Sequence, residues 1–366
     1  MSRFIVIANP KNRRVTLFSE AMAELKLPPP EVVSWLEVLR TPERLDELSA
    51  DRALVRIDSF GEDFEVEREL LARGGFENAL TLEERRGEVI APAVAQRGFQ
   101  QVMDTVLKPL FGKRKKWVLL NPLDEITEFF DKRLTSRRFA SAGIPIPEFL
   151  EEVPTRADAL LEAARARGWR QIFVKPAMGS SASGVLLVTL GPRGAAEIRT
   201  SLEWDAPRFF NNLRLSHYRT REDVARALDF ILAQGAQVER AIPKGQLDGA
   251  FFDCRVVVIG GEPRFVVVRQ NKHAITNLHL GGWRGDVEQL KAALAPGAWD
   301  AMLETCRQVG KLYRSLHIGL DVMFEDDLSA HRVIEANAFG DLFPNLTVDG
   351  KSVYRWELEE ALKRQT

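Results

Sequence analysis

Two apolar stretches near the end of the 366-residue chain each carry an acidic residue in the middle, and this pattern constrains the fold strongly. Residues 319–324 contain Asp321, and residues 333–339 contain Glu335 and Asn337. Buried carboxylates are costly unless a partner compensates for them. The polar segment EDDLSAH separates the two stretches, so the sequence predicts a hairpin. A solvated sheet edge with ordinary acids is the alternative, and the flanking apolar residues argue against it.

The predicted hairpin brings three oxygen-bearing side chains together. A loop centred on Leu328 places Asp321 directly opposite Glu335, with Cβ atoms about 4.5–5.5 Å apart. Asn337 shares a face with Glu335 because alternate strand residues point the same way. Two carboxylates this close repel each other unless one is protonated or a cation lies between them. The trio therefore predicts a Mg²⁺ site, in which Mn²⁺ can take the place of Mg²⁺.

Composition limits the classes of partner. The formal net charge is -1, so charge gives no reason to expect nucleic acid or an anionic membrane. The basic run at 113–116 is short and is interpreted as a solvated face. Two distant cysteines form no disulfide framework, and no apolar stretch approaches the roughly 20 residues of a membrane-spanning helix. Without a signal-peptide pattern, we expect a cytoplasmic protein, and a homo-oligomer is compatible with the sequence.

The first ~120 residues alternate between strand and helix patterns, which is typical of a parallel, helix-covered sheet in an α/β fold. Strands are predicted at 3–8, 31–38 and 53–57, with a helix at 14–25. The first strand is followed by neither Gly-x-Gly-x-x-Gly nor a Gly-Lys-Ser/Thr loop, so a dinucleotide or Walker-type site is not indicated. Polar residues after these strands, such as Asn9 and Asp58, are interpreted either as turns and caps or as substrate ligands.

Beyond residue 121 the pattern changes. Helices are predicted at 155–166, 220–234, 299–316 and 351–363, and strands at 171–175 and 185–189. Strands dominate 237–337, whereas 191–216 shows no clear period.

A run of small residues follows the strand that ends at Lys175. The sequence there is FVKPAMGSSASGV. Small residues let backbone N–H groups approach a phosphate, and lysine supplies positive charge. This predicts a flap over a nucleotide, although many such loops are merely flexible. Further on, the segment QVERAIPKG could hold a flat heterocycle through backbone hydrogen bonds.

A second hairpin, DCRVVVIGGEPRFVVVRQNK, places two arginines in apolar strands. A loop centred on Glu262 sets Arg255 opposite Arg269, whereas an even-numbered loop puts them on opposite faces, so the register stays open. Such arginines need an anion, which is either a structural acid or a bound phosphate or carboxylate. In the following TNLHLGGW, His279 could be a base, but Asn277 is the better polar candidate.

Taken in order, these segments resemble the ATP-grasp superfamily over about residues 121–345. The matching segments are DKRLTSRRFASAGIPIP, FVKPAMGSSASGV, VERAI, GLDV and VIEANA. The pair DCRVVVIGG and TNLHLGG is similar to the branch of the ribosomal-protein glutamate ligase. The resemblance implies a leading α/β domain with a parallel sheet at 1–118, a small nucleotide-flap lobe at 119–240 with an insertion at about 191–234, and a larger antiparallel-sheet lobe at 241–366.

The resemblance also implies roles for individual residues. The residues implied in ATP binding are Lys132, Lys175, Gly179, Ser180, Ser181, Ala182, Ser183, Glu239, Arg240, Ile242 and Asp248. Lys244 or Gln246 could contact the ribose instead of Asp248. Mg²⁺ is implied at Asp321, Glu335 and Asn337. Arg255 would stabilise the transferred phosphoryl group, with Arg269 and Asn277 near the acceptor carboxylate.

The implied activity is an ATP- and Mg²⁺-dependent carboxylate–amine ligation through an acyl phosphate. Its partners would be small-molecule or peptide carboxylates and amines. A nucleotide-binding regulatory or scaffolding protein with the same fold is the alternative. ADP release that depends on an added acceptor separates the two.

Overall fold

The computed structural model describes residues 3–48, 51–114, 116–178, 184–276, 278, 281–339 and 343–364. Three sheets organise these residues: a parallel sheet of four strands and two antiparallel sheets of five and six strands. The fold class expected from the sequence is confirmed.

The leading part of the chain forms the parallel sheet. Its strands are β1 (Arg3–Ala8), β2 (Glu31–Ser34), β3 (Ala53–Ile57) and β4 (Trp117–Leu119), in the order β2-β1-β3-β4. Its helices are α1 (Arg13–Glu24), α2 (Trp35–Arg40), α3 (Phe64–Arg73), α4 (Pro92–Val102) and α5 (Lys108–Lys113). All five residues of β3 are buried, as expected for a strand covered on both faces.

The predicted strand at 31–38 is wrong in its second half. The strand stops at Ser34, and α2 begins at the next residue. Ser34 and Glu37 form a capping box in which each side chain accepts from the other residue's backbone N–H. This local helix start outweighs the apolar run that suggested a longer strand.

The middle of the chain forms the five-stranded antiparallel sheet. Its strands are β5 (Gln171–Pro176), β6 (Leu186–Leu190), β7 (Ala196–Asp205), β8 (Arg208–Tyr218) and β9 (Ala236–Arg240), in the order β8-β7-β6-β5-β9. The helices in this part are α6 (Leu123–Phe130), α7 (Lys132–Ser141), α8 (Ala157–Ala166) and α9 (Arg221–Ala233). The stretch without a clear period, 191–216, is thus mostly the β7–β8 hairpin.

The rest of the chain forms the six-stranded antiparallel sheet. Its strands are β10 (Gln246–Leu247), β11 (Ala250–Ile259), β12 (Glu262–Asn271), β13 (Trp283–Arg284), β14 (His317–Phe324) and β15 (His331–Asn337), in the order β13-β12-β11-β14-β15, with β10 beside β11. Its helices are α10 (Val287–Ala293), α11 (Ala298–Leu312) and α12 (Val353–Lys363).

One hydrophobic core joins the parallel sheet to the six-stranded sheet, and a separate core lies under the five-stranded sheet. The shared core runs from Ile5 and Trp35 to Val256 and Leu320. The five-stranded sheet packs Val174 and Val188 against α8 and α9. The first part of the chain therefore shares a core with the last part and with α6 and α7, which contribute Ile126, Phe129 and Phe139, whereas the five-stranded sheet with α8 and α9 has its own core.

Candidate active site

A cavity of about 360 Å³ lies between the five-stranded and six-stranded sheets. One wall comes from the five-stranded sheet and includes Phe173 and Lys175 of β5, which share a face because they are alternate residues of a strand. The opposite wall comes from β11, β12, β14 and β15. The lining residues that the sequence had suggested are Lys132, Lys175, Glu239, Arg240, Ile242, Arg255, Arg269, Asp321, Glu335 and Asn337.

The predicted oxygen-bearing trio meets at this cavity. Asp321 pairs directly with Glu335 across β14 and β15, and Gly319 pairs with Asn337. This is the predicted pairing, but a register shift at Asp321–Val322 produces it rather than a loop centred on Leu328. The amide nitrogen of Asn337 donates to the carbonyl oxygen of Gly319 at 3.4 Å. Two carboxylates and one amide on adjacent strands are the hard oxygen donors that suit Mg²⁺. Among the described residues, no group of three His, Cys, Asp or Glu side chains forms a metal site, so the third protein ligand would be this amide.

Burial and the neighbouring charges shift the pKa values of Asp321 and Glu335 in opposite directions. Burial raises the pKa of Asp321, although Arg255 and Arg269 oppose this shift. Burial also acts to raise the pKa of Glu335, but the positive charges of Lys132, Lys175 and Arg255 outweigh it and lower that pKa. Glu335 is thereby held as the anion, the form that binds metal.

Arg255 and Arg269 lie on the same face of the sheet. Neither of the two loops considered from the sequence gives the observed register by itself. Gly260 and Gly261 have φ values of 62° and 85°, which suits a two-residue hairpin turn. That turn alone would place the arginines on opposite faces. A β-bulge at Val257–Val258 shifts the register by one residue, so Arg255 pairs with Val267, and Arg269 returns to the face of Arg255.

Both arginines bind Asp321. Arg255 Nε lies 2.6 Å from Asp321 Oδ1, and Arg269 Nη2 lies 3.0 Å from the same oxygen. A Cβ on Gly319 would lie 2.9 Å from Arg255 Nη1, so glycine at this position gives the guanidinium its room. Of the two kinds of anion that the sequence left open for these arginines, the structure shows a protein acid, Asp321, which is also one of the residues predicted to bind metal.

The two lysines approach the cavity from the other side. Lys175 Nζ lies 2.6 Å from Glu239 Oε2, and Lys132 Nζ lies 3.4 Å from Glu335 Oε1. Lys132 is the first residue of α7, and Asp131 caps that helix by accepting from the N–H of Arg133. The N–H of Lys132 donates to the Ala177 carbonyl oxygen at 2.9 Å, which fixes the start of α7 against the end of β5.

The segment predicted to contact adenine follows β9. The N–H of Arg240 already donates to the Glu148 carbonyl oxygen at 2.8 Å, and the N–H of Ala241 donates to Gln171 at 3.0 Å. The Arg240 amide is therefore not available to a base, whereas Ile242 lines the cavity. The Glu239 side chain is occupied by Lys175 in this structure.

The structure does not bring every suggested residue to the cavity. Asp248 lies in the exposed turn between β10 and β11, where its side chain accepts from Gln289, and it does not line the cavity. Gln246 does not line it either, whereas Lys244 does. The suggested residues Gly179, Ser180, Ser181, Ala182, Ser183, Asn277 and His279 lie outside the described part of the chain.

The polar residues after the parallel strands follow the turn-and-cap interpretation only in part, because Asp58 forms buried ion pairs and Asp63 caps α3 instead. Asn12 caps α1, and the Asn9 amide donates to the carbonyl oxygens of Phe60 and Gly61. Asp58 is buried, and its carboxylate pairs with arginines at 3.2–3.3 Å. None of these residues lines the cavity.

Sequence reasoning missed a buried cluster centred on Asp253. Its carboxylate binds Arg269 Nε at 2.6 Å and Lys244 Nζ at 3.3 Å, and it also accepts from the Thr276 hydroxyl. Burial acts to raise the pKa of Asp253, but Lys244 and Arg269 outweigh it and lower that pKa. The available signal was the spacing of Asp253 and Arg255, because residues two apart in a strand share a face.

Neither protein-family models nor curated proteins match the sequence. Solved structures match over nearly its whole length. The D-cycloserine synthetase DcsG is 15% identical with a TM-score of 0.57, covering 99% of this chain and 100% of that chain. The ATP-grasp ligase PsnB, in complex with precursor peptide PsnA2 and AMPPNP, is 14% identical with a TM-score of 0.53, covering 100% and 97%. The macrocyclase MdnC from Microcystis aeruginosa MRC, bound with precursor peptide MdnA, is 12% identical with a TM-score of 0.53, covering 99% of each chain.

The chain therefore has the ATP-grasp fold. Matches of 9–15% identity establish the shared architecture and leave the reaction to be argued from the site. In the described part of the chain, no helix combines the length and the apolar character needed to cross a membrane.

Proposed function

We propose that the protein is an ATP- and Mg²⁺-dependent carboxylate–amine ligase that forms an amide through an acyl phosphate. One observation carries the proposal. In a cavity of an ATP-grasp fold, three hard oxygen donors face a set of buried and half-buried cations. The cations are Lys132, Lys175, Arg255 and Arg269. Anionic phosphates and a divalent cation are the ligands that match both halves of this arrangement.

The nucleotide would lie along the five-stranded sheet. The carbonyl oxygen of Arg240 and the N–H of Ile242 would contact adenine, since the N–H of Arg240 is already bonded. Lys132 and Lys175 would bind the phosphates, giving up part of their contacts with Glu335 and Glu239. Asp321, Glu335 and Asn337 would hold Mg²⁺, which when bound neutralises charge on the phosphates.

The chemistry needs no nucleophile from the protein. A carboxylate oxygen of the substrate attacks the γ-phosphorus of ATP, the bond to the β-phosphate oxygen breaks, and ADP leaves. An amine nitrogen then attacks the acyl carbon, inorganic phosphate leaves, and the amine loses a proton to give the amide. Arg255 and Arg269 contribute by orienting the carboxylate and stabilising charge on the transferred group.

The solved relatives support this class of reaction. PsnB has been determined with a minimal precursor, Mg and ADP, and DcsG is a D-cycloserine synthetase. Their substrates are a peptide in the first case and a small molecule in the second. For this chain we propose a small-molecule or peptide carboxylate and an amine, without choosing between them.

Hydroxylamine trapping tests the proposal without knowledge of the amine. The protein would be incubated with ATP, Mg²⁺, hydroxylamine and a panel of amino acids and acidic peptides, and hydroxamate and ADP would be measured. We expect both products to appear together, to require Mg²⁺, and to be lost in Lys175→Met but kept in Lys351→Met. Lys351 is a suitable control because it pairs with Glu359 on α12 rather than lining the cavity.

MgADP binding, measured by thermal shift, separates the two ways in which the trapping test can fail. Binding without hydroxamate from any carboxylate would favour the nucleotide-binding regulatory protein. Absence of both would remove the nucleotide site from the proposal.

A further inference from the structure

We infer that Arg199 binds a second anionic group of the substrate, in addition to the carboxylate that reacts. The inference rests on the proposed function and names a substrate class for the same cavity: a molecule with at least two acidic groups. A peptide rich in Glu or Asp belongs to this class.

The register of the five-stranded sheet places Arg199 on the cavity wall. Glu239 pairs with Phe173, Phe173 with Leu187, and Leu187 with Arg199. These four residues form one row across β9, β5, β6 and β7, and all four line the cavity. With strands about 4.8 Å apart, three spacings put the Arg199 Cα roughly 14 Å from that of Glu239. Arg199 therefore lies well away from the segment proposed to hold adenine.

Arg199 differs from the other arginines of the wall in its partners. Arg255 and Arg269 bind buried acids, and Arg240 Nη1 lies 2.8 Å from Glu148 Oε1. Within the described part of the chain, no carboxylate oxygen lies within 4.0 Å of the Arg199 guanidinium. Lys272 also lines the cavity without such a partner, but it follows β12 in the six-stranded sheet. On the five-stranded sheet, Arg199 is thus an exposed arginine that lines the cavity and has no carboxylate within 4.0 Å among the described residues.

The acid nearest to Arg199 along the same face is already used. Glu197 lies two residues earlier on β7, and its Oε2 is 3.0 Å from His217 Nε2 and 3.8 Å from Arg219 Nε. Arg199 pairs with Leu187 on one side and with His217 on the other, and His217 is the residue that binds Glu197. The lining residues Leu187, Val185 and Leu215 are apolar. An anion brought into this apolar part of the cavity would find its charge partner in Arg199.

The chemistry of the side chain favours a carboxylate. A guanidinium offers a planar pair of N–H donors that matches the two oxygens of a carboxylate. This contact raises the affinity only for a ligand with a negative charge beside Arg199. It therefore favours acidic ligands over uncharged ones. Arg199 is therefore a specificity-determining residue within the proposed ligase site.

Isothermal titration with two capped peptides tests the inference. The probes are acetyl-Glu-Glu-Glu-amide and acetyl-Glu-Gln-Gln-amide, which share one carboxylate and differ in two others. Titrations would be run with saturating MgADP and again without nucleotide. An ion pair at an exposed arginine corresponds to only a few-fold in affinity, so we expect the wild type to bind the triacid about threefold more tightly.

Three variants test whether Arg199 causes the preference for the triacid peptide. Arg199→Gln should remove most of the difference, and Arg199→Lys should restore part of it. Arg214→Gln is the matched control, because Arg214 is an exposed arginine on β8 of the same hairpin and does not line the cavity. Arg214→Gln should keep the wild-type preference.

Several outcomes would overturn the inference. These are equal affinity of the wild type for both peptides, an equal loss in Arg214→Gln, or a weakening of MgADP binding by Arg199→Gln that matches the loss of peptide binding. The last result would make Arg199 a phosphate ligand. If the wild type binds no MgADP, the proposed function fails instead, and the nucleotide-free titrations still decide the role of Arg199.

Discussion

Replacing Glu357 by Gln should lower the free energy of unfolding by about 3 kcal/mol. Glu357 lies on α12 and pairs with Arg56 of β3, and each is 1% exposed. Its Oε1 also lies 3.0 Å from His317 Nδ1 of β14. Breaking a buried ion pair typically costs about 3–5 kcal/mol, because the remaining charge is left without compensation. The lower end applies here, since Asp58 still lies 3.3 Å from the arginine.

Urea denaturation followed by circular dichroism measures this loss. Glu359→Gln is the control on the same helix. Its partner Lys351 lies 2.5 Å away, both side chains are about one quarter exposed, and such a pair contributes less than about 1 kcal/mol. A loss below about 1 kcal/mol in Glu357→Gln, or equal losses in both variants, would refute the claim that this ion pair fastens the parallel sheet to the C-terminal helix.

Four further predictions concern acidity and the site. Burial acts to raise the pKa of Glu357, but its ion pairs outweigh burial and hold the pKa below 4.5. The stability difference between wild type and Glu357→Gln should therefore be complete above pH 4.5 and shrink as pH falls through the lowered pKa, measured by urea midpoints between pH 7 and 3. Glu335→Gln should abolish the effect of Mg²⁺ on ADP affinity without weakening metal-free ADP binding, because it also frees Lys132 from its carboxylate partner; calorimetry measures both affinities. Arg255→Ala should spare MgADP binding and abolish hydroxamate formation; surviving turnover would make Arg255 structural. Mn²⁺ should bind about tenfold more tightly with ADP than alone in electron paramagnetic resonance titrations, because arginines occupy Asp321 in the free protein; equal affinities would contradict this.

The hairpin of β14 and β15 shows what the sequence could predict. Its strands are apolar apart from a few residues, so any acid on the buried face had to be functional or paired. Asp321 does pair with Glu335, but the loop alone does not give this pairing. The pairing of Phe324 with His331 would set Asp321 opposite Ile334, and a register shift at Asp321–Val322 brings Glu335 there instead. The apolar strand pattern was local and therefore visible in the sequence, whereas this shift was not.

The hairpin of β11 and β12 shows what the sequence could not predict. Its turn, Gly260–Gly261, was visible, but the bulge at Val257–Val258 was not. One extra residue in a strand decides whether two arginines share a face, and its position depends on packing against neighbouring strands. The sequence could not show the partners of Arg255 and Arg269 for the same reason. Asp321 lies on β14, and Asp253 lies on β11, the strand opposite Arg269.

The charged residues of the site compensate one another in pairs. Lys175 is compensated by Glu239, Lys132 by Glu335, and Arg255 by Asp321. Lys132, Lys175, Arg255 and Arg269 therefore each have a carboxylate partner within 4.0 Å, whereas Arg199 has none within the described part of the chain. An incoming phosphate or carboxylate must displace these carboxylates from the cations. A metal ion that binds the displaced carboxylates then compensates their negative charge. We therefore expect the nucleotide and the metal ion to raise each other's affinity. The nucleotide compensates the cations, and the metal ion compensates the carboxylates that paired with them.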